Sequence, residues 1–347
     1  MSIAAQKPIF KIQLLSTATE LRQLKPEWAE LYRRCPYATS FQRPEWLLSW
    51  VDAFMPQQIR TIAIRNEDAL VGLAPLLIYE KLGEPTLAFL GGGVSDYLDI
   101  LAEPRFTRDV VDAICLAAAE VPEWNTFELT DLSSHSPLLT SSLLRQHACE
   151  HDVCSVLDLP EDREQLLHIV SKRQRANLRN ADSRLYRAGG VTIEIASSET
   201  LNEALHDLVR LHTTRWTLAR QSGVLSDAAV KHFHRLSAPE LLKSGVLRLY
   251  RLRQQGRTLA VIYALFDGPT VYCYLQGFDP EAAYFSPGTV LMFKLMEDAV
   301  AERFRKFDFL RGQETYKQHW RACPTPTYRV TLPRSVFDLQ DPLAEAA

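Results

Sequence analysis

Two hydrophobic rhythms alternate along this chain. Over residues 246–253, 258–266 and 270–278 the apolar and β-branched positions crowd into runs, separated by Gln255-Gly256 and Asp267-Gly268. Short apolar runs divided by such dipeptides predict three antiparallel strands joined by hairpins. On either side the rhythm becomes helical. Leu201, Leu205, Leu208 and Leu211 recur three and four apart, which predicts an amphipathic helix over residues 200–219. A second helix is expected over 226–237, with Ser226 or Asp227 near its cap. Ser286-Pro287-Gly288 reads as a further helix start, because serine caps, proline suits the first helical position and glycine lets a ligand approach the backbone. That helix is expected to reach about residue 304, followed by a strand at 307–310, a helical segment at 314–320 and a last strand near 328–332. A short strand at 191–195 opens the series.

The first half repeats this order more loosely. A strand at 9–14 is followed by helices at 19–33 and 44–54, strands at 59–65, 70–79 and 86–90, a helix at 107–119 and a strand at 126–129. Local echoes place Trp46 opposite Trp216, Gly91 opposite Gly277 and Phe127 opposite Phe307, at offsets of 170, 186 and 180 residues. An offset of that size is a domain duplication and not a solenoid period. The expected domains are residues 1–160 and 161–347, joined near 158–164, where the chain turns polar around Pro160.

With 347 residues, 46% hydrophobic and 23% charged, the chain has enough apolar material for two globular cores. A net charge of −3 gives no general case for nucleic-acid binding. The longest apolar stretches, at 70–79 and 259–266, are too short to cross a membrane. The N-terminal residues 1–11 have no apolar core of signal-peptide length, and the six cysteines contain no C-x-x-C pair. Together these lead to the expectation of a cytoplasmic protein with reduced thiols and no metal site.

The element order, with S-K-R-Q-R-A-N-L-R at 171–179, Arg215-Trp216, Q-G-F-D-P leading to S-P-G at 276–288, and F-D-F-L-R-G-x-x-x-Y-K-x-x-W at 307–320, resembles the GNAT acyltransferases. Within them it resembles the CelD/BcsL-like branch linked with cellulose and polysaccharide genes, and V-G-L-A-P-L at 71–76 and G-G-G-V-S-D-Y-L-D at 91–99 also match. Fem-type peptidyltransferases are wider relatives. The resemblance implies an α/β (α+β) fold of two tandem GNAT-like domains, each a mixed, mostly antiparallel sheet flanked by helices. The first would be a degenerate, acceptor-side domain and the second the acyl-CoA side. It implies acetyl-CoA or another acyl-CoA as co-substrate, a small-molecule amine or sugar acceptor, and direct attack in a ternary complex. One departure stands out: the loop at 278–287 is long, and Gly277 and Gly288 are its only flanking glycines, so an aminoacyl carrier also remains open as donor.

The expected donor contacts are Gln276, Gly277 and Phe278 on the fourth strand and Ser286, Pro287, Gly288 and Thr289 at the helix start, whose free N–H groups and dipole favour a pyrophosphate. Arg175 and Arg179 join them. At about 100° per residue they fall on the basic side of a helix over 172–188, opposite Leu178, Ala181, Leu185 and Ala188, and being four apart can grip one anion. For catalysis, Tyr316 is the candidate general acid and Lys317 an oxyanion or phosphate contact, against the reading of a surface Tyr-Lys pair. Asp308 is either a base or one half of an ion pair; Asp279 is either a base or an ordinary loop aspartate. Asp96, Tyr97 and Asp99, together with Trp216, are expected on the acceptor side, with a tight turn as the alternative for the loop. The function expected is acyl-CoA-dependent N-acylation. Fem-like aminoacyl transfer and a non-catalytic scaffold are the alternatives.

Overall fold

The computed structural model describes residues 8–338 apart from 219, 221 and 313, so the first seven residues of the stretch read for an export signal lie outside the described residues. Contacts divide the chain into two compact units: Met1–Asp152 with Pro326–Ala347, and Val153–Thr325. The sequence had put the boundary at 160 and left the C-terminal strand in the second domain. In the structure the chain leaves the first unit within one strand and returns to it within another.

In the first unit β1 (Phe10–Leu15) leads to helices α1 (Ala18–Gln23) and α2 (Lys25–Arg34), then α3 (Pro44–Phe54). One helix was expected over 19–33. It is divided because Pro26 starts a new helix, while Thr17 and Glu20 close a capping box on the first. Strands β2 (Gln58–Ile59), β3 (Thr61–Asn66), β4 (Ala69–Ala74), β5 (Leu76–Lys81), β6 (Glu84–Phe89) and β7 (Leu101–Ala102) follow. The single strand expected over 70–79 is two strands, broken at Pro75, which lacks the N–H a ladder needs. β4 joins the sheet β1-β3-β4-β7, and β5 pairs with β6. After α4 (Thr107–Glu120), β8 (Thr126–Leu132) runs parallel to β6. Its core includes Trp124, Phe127, Leu129 and, from β15 (Cys323–Pro333), Val330 and Leu332. α5 (Ser142–Gln146) precedes β9 (Ala148–Asp158), and α12 (Ser335–Asp338) closes the described chain.

The second unit takes β9 as its edge. α6 (Arg163–Ile169) and α7 (Lys172–Ala188) precede β10 (Val191–Ile195), α8 (Leu201–Leu218) and α9 (Ala228–Lys243). Then come β11 (Leu247–Gln254), β12 (Arg257–Asp267), β13 (Thr270–Phe278), α10 (Pro287–Ala301), β14 (Lys306–Arg311) and α11 (Thr315–His319). The strand order β10-β11-β12-β13-β14-β9 is antiparallel except for β13 beside β14. Gln255 and Gly256 both have positive φ, +48° and +82°, as the tight turn at that hairpin requires. α10 lies across the sheet, burying Leu291, Leu295 and Met296 with Leu157, Ile262 and Phe307.

The echoes between the halves have a physical counterpart inside each unit. Gly277 faces the backbone of α8, where an added Cβ would stand 2.6 Å from the His212 N, and Gly91 faces Leu47 of α3 at 2.7 Å. Phe127 pairs in register with Leu87 on the parallel β6/β8 ladder, as Phe307 does with Val271 on β13/β14. Both units are thus built on one plan.

Candidate active site

The β13/β14 ladder holds for only three residues, Thr270–Tyr272 against Lys306–Asp308. Two irregularities part the strands beyond it. In β13, Cys273 and Leu275 pair with successive residues of β12, so Tyr274 is an extra residue on its strand. In β14, Asp308 and Arg311 pair with Val156 and Cys154, and Leu310 between them is left-handed at φ +60°. Bulges of this kind bend a strand and end its pairing. A cavity of about 500 Å³ opens where they diverge.

Seven of the expected residues line that cavity: Gln276 and Phe278 from β13, Ser286, Pro287, Gly288 and Thr289 at the start of α10, and Tyr316 from α11. Ser286 differs from its expected role. It holds the capping position with a left-handed backbone at φ +48°, and its side chain makes no capping hydrogen bond. Thr289 and Val290 donate their N–H groups to the Ser286 carbonyl, Pro287 has none, and Gly288 at the second helical position has no carbonyl four residues back inside the helix. A Cβ on Gly288 would meet nothing closer than Phe278, at 3.9 Å. Internal packing therefore leaves that space open.

The Gln276 amide donates to the Tyr316 hydroxyl oxygen at 2.5 Å. Burial, reinforced by Cys273 and Glu314, raises the phenol above its ordinary range, so Tyr316 keeps its proton. The oxygen accepts from the amide and its own hydrogen remains to be donated.

Lys317 is not placed to meet a substrate. Only 2% exposed, its ammonium donates to the carbonyls of Leu310, Arg311 and Gly312 at 3.0, 2.6 and 3.0 Å and pairs with Glu314 at 2.9 Å. Asp308 accepts from the Leu310 N–H at 2.7 Å. The two expected catalytic groups instead hold the left-handed bend that parts the strands. Asp279 is likewise engaged: it caps the turn after β13 through the Glu281 N–H and is bridged by Arg257. No carboxylate is among the residues lining the cavity.

Arg175 and Arg179 do not form an anion grip. The Arg175 guanidinium is spent on the Leu167, His168 and Val170 carbonyls at the end of α6, and Arg179 borders a separate surface depression with Asp182 and Tyr186. The residues α7 does bring to the cavity are Gln174 and Asn177. Gly277, against α8, is a packing glycine and not a cavity wall. Trp216 donates from its indole to His212 at 2.9 Å, and its neighbour Arg215 lines the cavity in its place. His319 and Trp320 complete the wall. Trp320 was visible in the Y-K-x-x-W spacing; Gln174, Asn177 and His319 carried no signal, since nothing in sequence distinguishes a polar residue facing a cleft from one facing water.

In the first unit Asp96, Tyr97 and Asp99 are buried rather than displayed to an acceptor. Gln42 donates to the Tyr97 carbonyl at 3.0 Å, and the Asp99 carboxyl accepts from Ser136 and from the Ile100 N–H at 2.9 and 2.8 Å. Burial pushes the Asp99 pKa up to about 7, its two hydrogen bonds opposing the shift. An acid raised in the folded state costs stability as pH climbs from its unfolded value to the folded one, and the full cost is present above about pH 7. Asp99→Asn is therefore expected to gain roughly 2–4 kcal/mol over the parent at pH 8, a gain that shrinks toward pH 4. Urea unfolding at both pH values checks this, and a difference independent of pH would show that the carboxyl does not titrate with folding.

Known proteins place these features in a class. A family described as the acetyltransferase (GNAT) domain matches residues 172–318, which hold all of the cavity's lining residues except His319 and Trp320. FemX shares the fold over 95% of this chain and 99% of its own, with a TM-score of 0.65 at 12% identity. The C-terminal domain of a putative lysylphosphatidylglycerol synthetase from Agrobacterium fabrum gives 0.58 at 13%, covering 93% and 95%. A tandem GNAT protein from the clavulanic acid biosynthesis pathway gives 0.51 at 13%, covering 93% and 99%. No curated protein matches. The fold is that of tandem GNAT-like domains, and the match to the GNAT domain family falls within the second unit.

Proposed function

We propose that the second unit is an acyl-CoA-dependent N-acyltransferase acting on an amine of a small polar acceptor. The observation that carries this is the convergence on one cavity of an open strand pair, an unencumbered helix start at Gly288 and a protonated Tyr316. The resemblance to the CelD/BcsL-like branch extends the proposal to an amino sugar or sugar nucleotide in polysaccharide synthesis in the cytoplasm. Among the described residues no helix is long and apolar enough to cross a membrane.

The residues fit such a donor. The Gly288 N–H and the space above it suit a pyrophosphate, with Arg215 on the same wall as counter-charge. When bound, an acyl-CoA supplies an acyl group activated as a thioester. Tyr316 holds a proton at its hydroxyl for the departing sulfur, and Gln276 fixes the direction of that hydroxyl. His319 is the lining side chain able to take a proton from the acceptor amine. The bends in β13 and β14 keep the pocket open without help from a ligand.

Gly288→Ala tests the donor site. The variant is expected to fold normally, since its Cβ has room, and to bind acetyl-CoA about tenfold more weakly by calorimetry, since that room is the ligand's. Unchanged affinity would remove α10 from the donor site. A Fem-like aminoacyl transfer is the second reading, favoured by the long loop before α10 and the likeness to FemX. It predicts no acetyl-CoA binding by the unaltered chain.

A further inference from the structure

The first unit has a cavity of its own, of about 780 Å³, which the acyl-transfer reading does not use. It arises by the same device as the cavity of the second unit. The parallel β6/β8 ladder ends at Ala88 and Glu128, and beyond it β8 carries one extra residue against β15, between Leu129 and Leu132, with Asp131 left-handed at φ +60°. The chemistry of the walls is different. α4 contributes nothing to the lining, so no helix start faces the space and a second CoA site has no phosphate cradle here.

One wall is apolar. Trp50 and Phe54 stack at 5.1 Å, and Leu77, Phe89 and Leu98 continue the surface. The other carries charge, most of it already matched. The Glu128 carboxylate, buried, is held by Lys81 at 2.7 Å and by the Tyr79 hydroxyl at 3.3 Å. Asp131, also buried, accepts from the Thr130 hydroxyl at 2.9 Å and has the His151 ring at 3.8 Å. Arg329 is the exception: its guanidinium has no hydrogen bond or ion pair to any described residue, and with Nε itself closed off the terminal N–H groups are the ones a ligand can reach. A half-buried guanidinium left without an acceptor has its terminal N–H groups free for a ligand, and a planar oxyanion is the partner their geometry suits best.

We propose that this cavity is a ligand site for a monoanionic organic acid, with its carboxylate on Arg329 and its apolar body against Trp50, Phe54, Leu77 and Phe89. The apolar wall sets the body of the ligand, and the unmet donor sets its charged end. Glu128 and Asp131 in the same walls penalise a second negative charge, which selects a carboxylate over a phosphate monoester. The site stands apart from the acyl-transfer reading, because every residue lining it belongs to the first unit.

The full chain is titrated calorimetrically with octanoate and 3-phenylpropionate, with their primary amides, and with octyl phosphate. Both acids are expected to bind, with each amide weaker by about tenfold or more. Arg329→Gln is expected to abolish that preference while leaving acetyl-CoA affinity unchanged. Ala88→Leu, which fills the space, is expected to remove binding of acid and amide alike. Absence of binding by either acid, equal binding of acid and amide, a preference for octyl phosphate, or a preference that survives in Arg329→Gln would each overturn the proposal. The acid–amide comparison on the unaltered chain decides the matter even where a variant fails to fold. Loss of acetyl-CoA binding by the unaltered chain would count against the acyl-transfer reading alone.

Discussion

Tyr316→Phe is expected to lower kcat by about 10²–10³-fold with little change in the acetyl-CoA affinity, the signature of a lost general acid and not of a lost binding contact. The variant keeps the ring that packs near Phe309 and removes only the hydroxyl that Gln276 orients. Because burial holds the phenol above its ordinary range, the proton is retained through neutral and moderately alkaline pH. The parent enzyme should therefore show no fall in kcat from Tyr316 ionisation up to about pH 9. Steady-state kinetics across that range, with thiol release as the readout, checks both statements. A kcat equal to the parent's would remove Tyr316 from the chemistry and leave it a packing residue.

Lys317→Met is the second large effect, and it falls on stability. The ammonium serves three backbone carbonyls in a buried turn, and methionine offers none of those donors. A loss of roughly 3–5 kcal/mol is expected, read from urea unfolding of the full chain. Donor affinity should fall with it, because the bend at Leu310 keeps β14 away from β13. Lys317→Arg should rescue little: a planar fork does not fit three carbonyls arranged around one point. If the lysine instead met an oxyanion or a phosphate, the methionine variant would keep its stability and lose only activity. That outcome would return Lys317 to the catalytic group.

These two adjacent residues show where sequence reading works and where it stops. The sequence placed both on a short helix after the fifth strand, and α11 is there. It could not tell that Tyr316 turns into the cavity while Lys317 turns back onto its own chain. One step along a helix rotates a side chain by about 100°, so neighbours face different surroundings, and only packing says which is the cleft. The basic helix α7 repeats the point. Its periodicity correctly buried Leu178, Ala181 and Leu185, but the arginines paired four apart were drawn to different partners, Arg175 to the end of α6 and Arg179 to the outer surface. For Asp308 and Asp279 the sequence left a base and a structural role both open, because the N–H groups they accept from come from bends no local pattern announces.

What the sequence determined by itself was the order of elements, the duplication and the helix start at Ser286-Pro287-Gly288. Alternation, helical period, hairpin dipeptides and proline positions are local properties, and local sterics and burial are enough to express them. Tertiary structure alone decided the strand exchange that gives β15 to the first unit, the bends that open each parallel strand pair, and which polar side chains face the spaces so formed. Those outcomes depend on contacts between residues far apart in the chain, where a hydrogen-bond acceptor or a neighbouring backbone, absent from any local window, fixes the direction of each group.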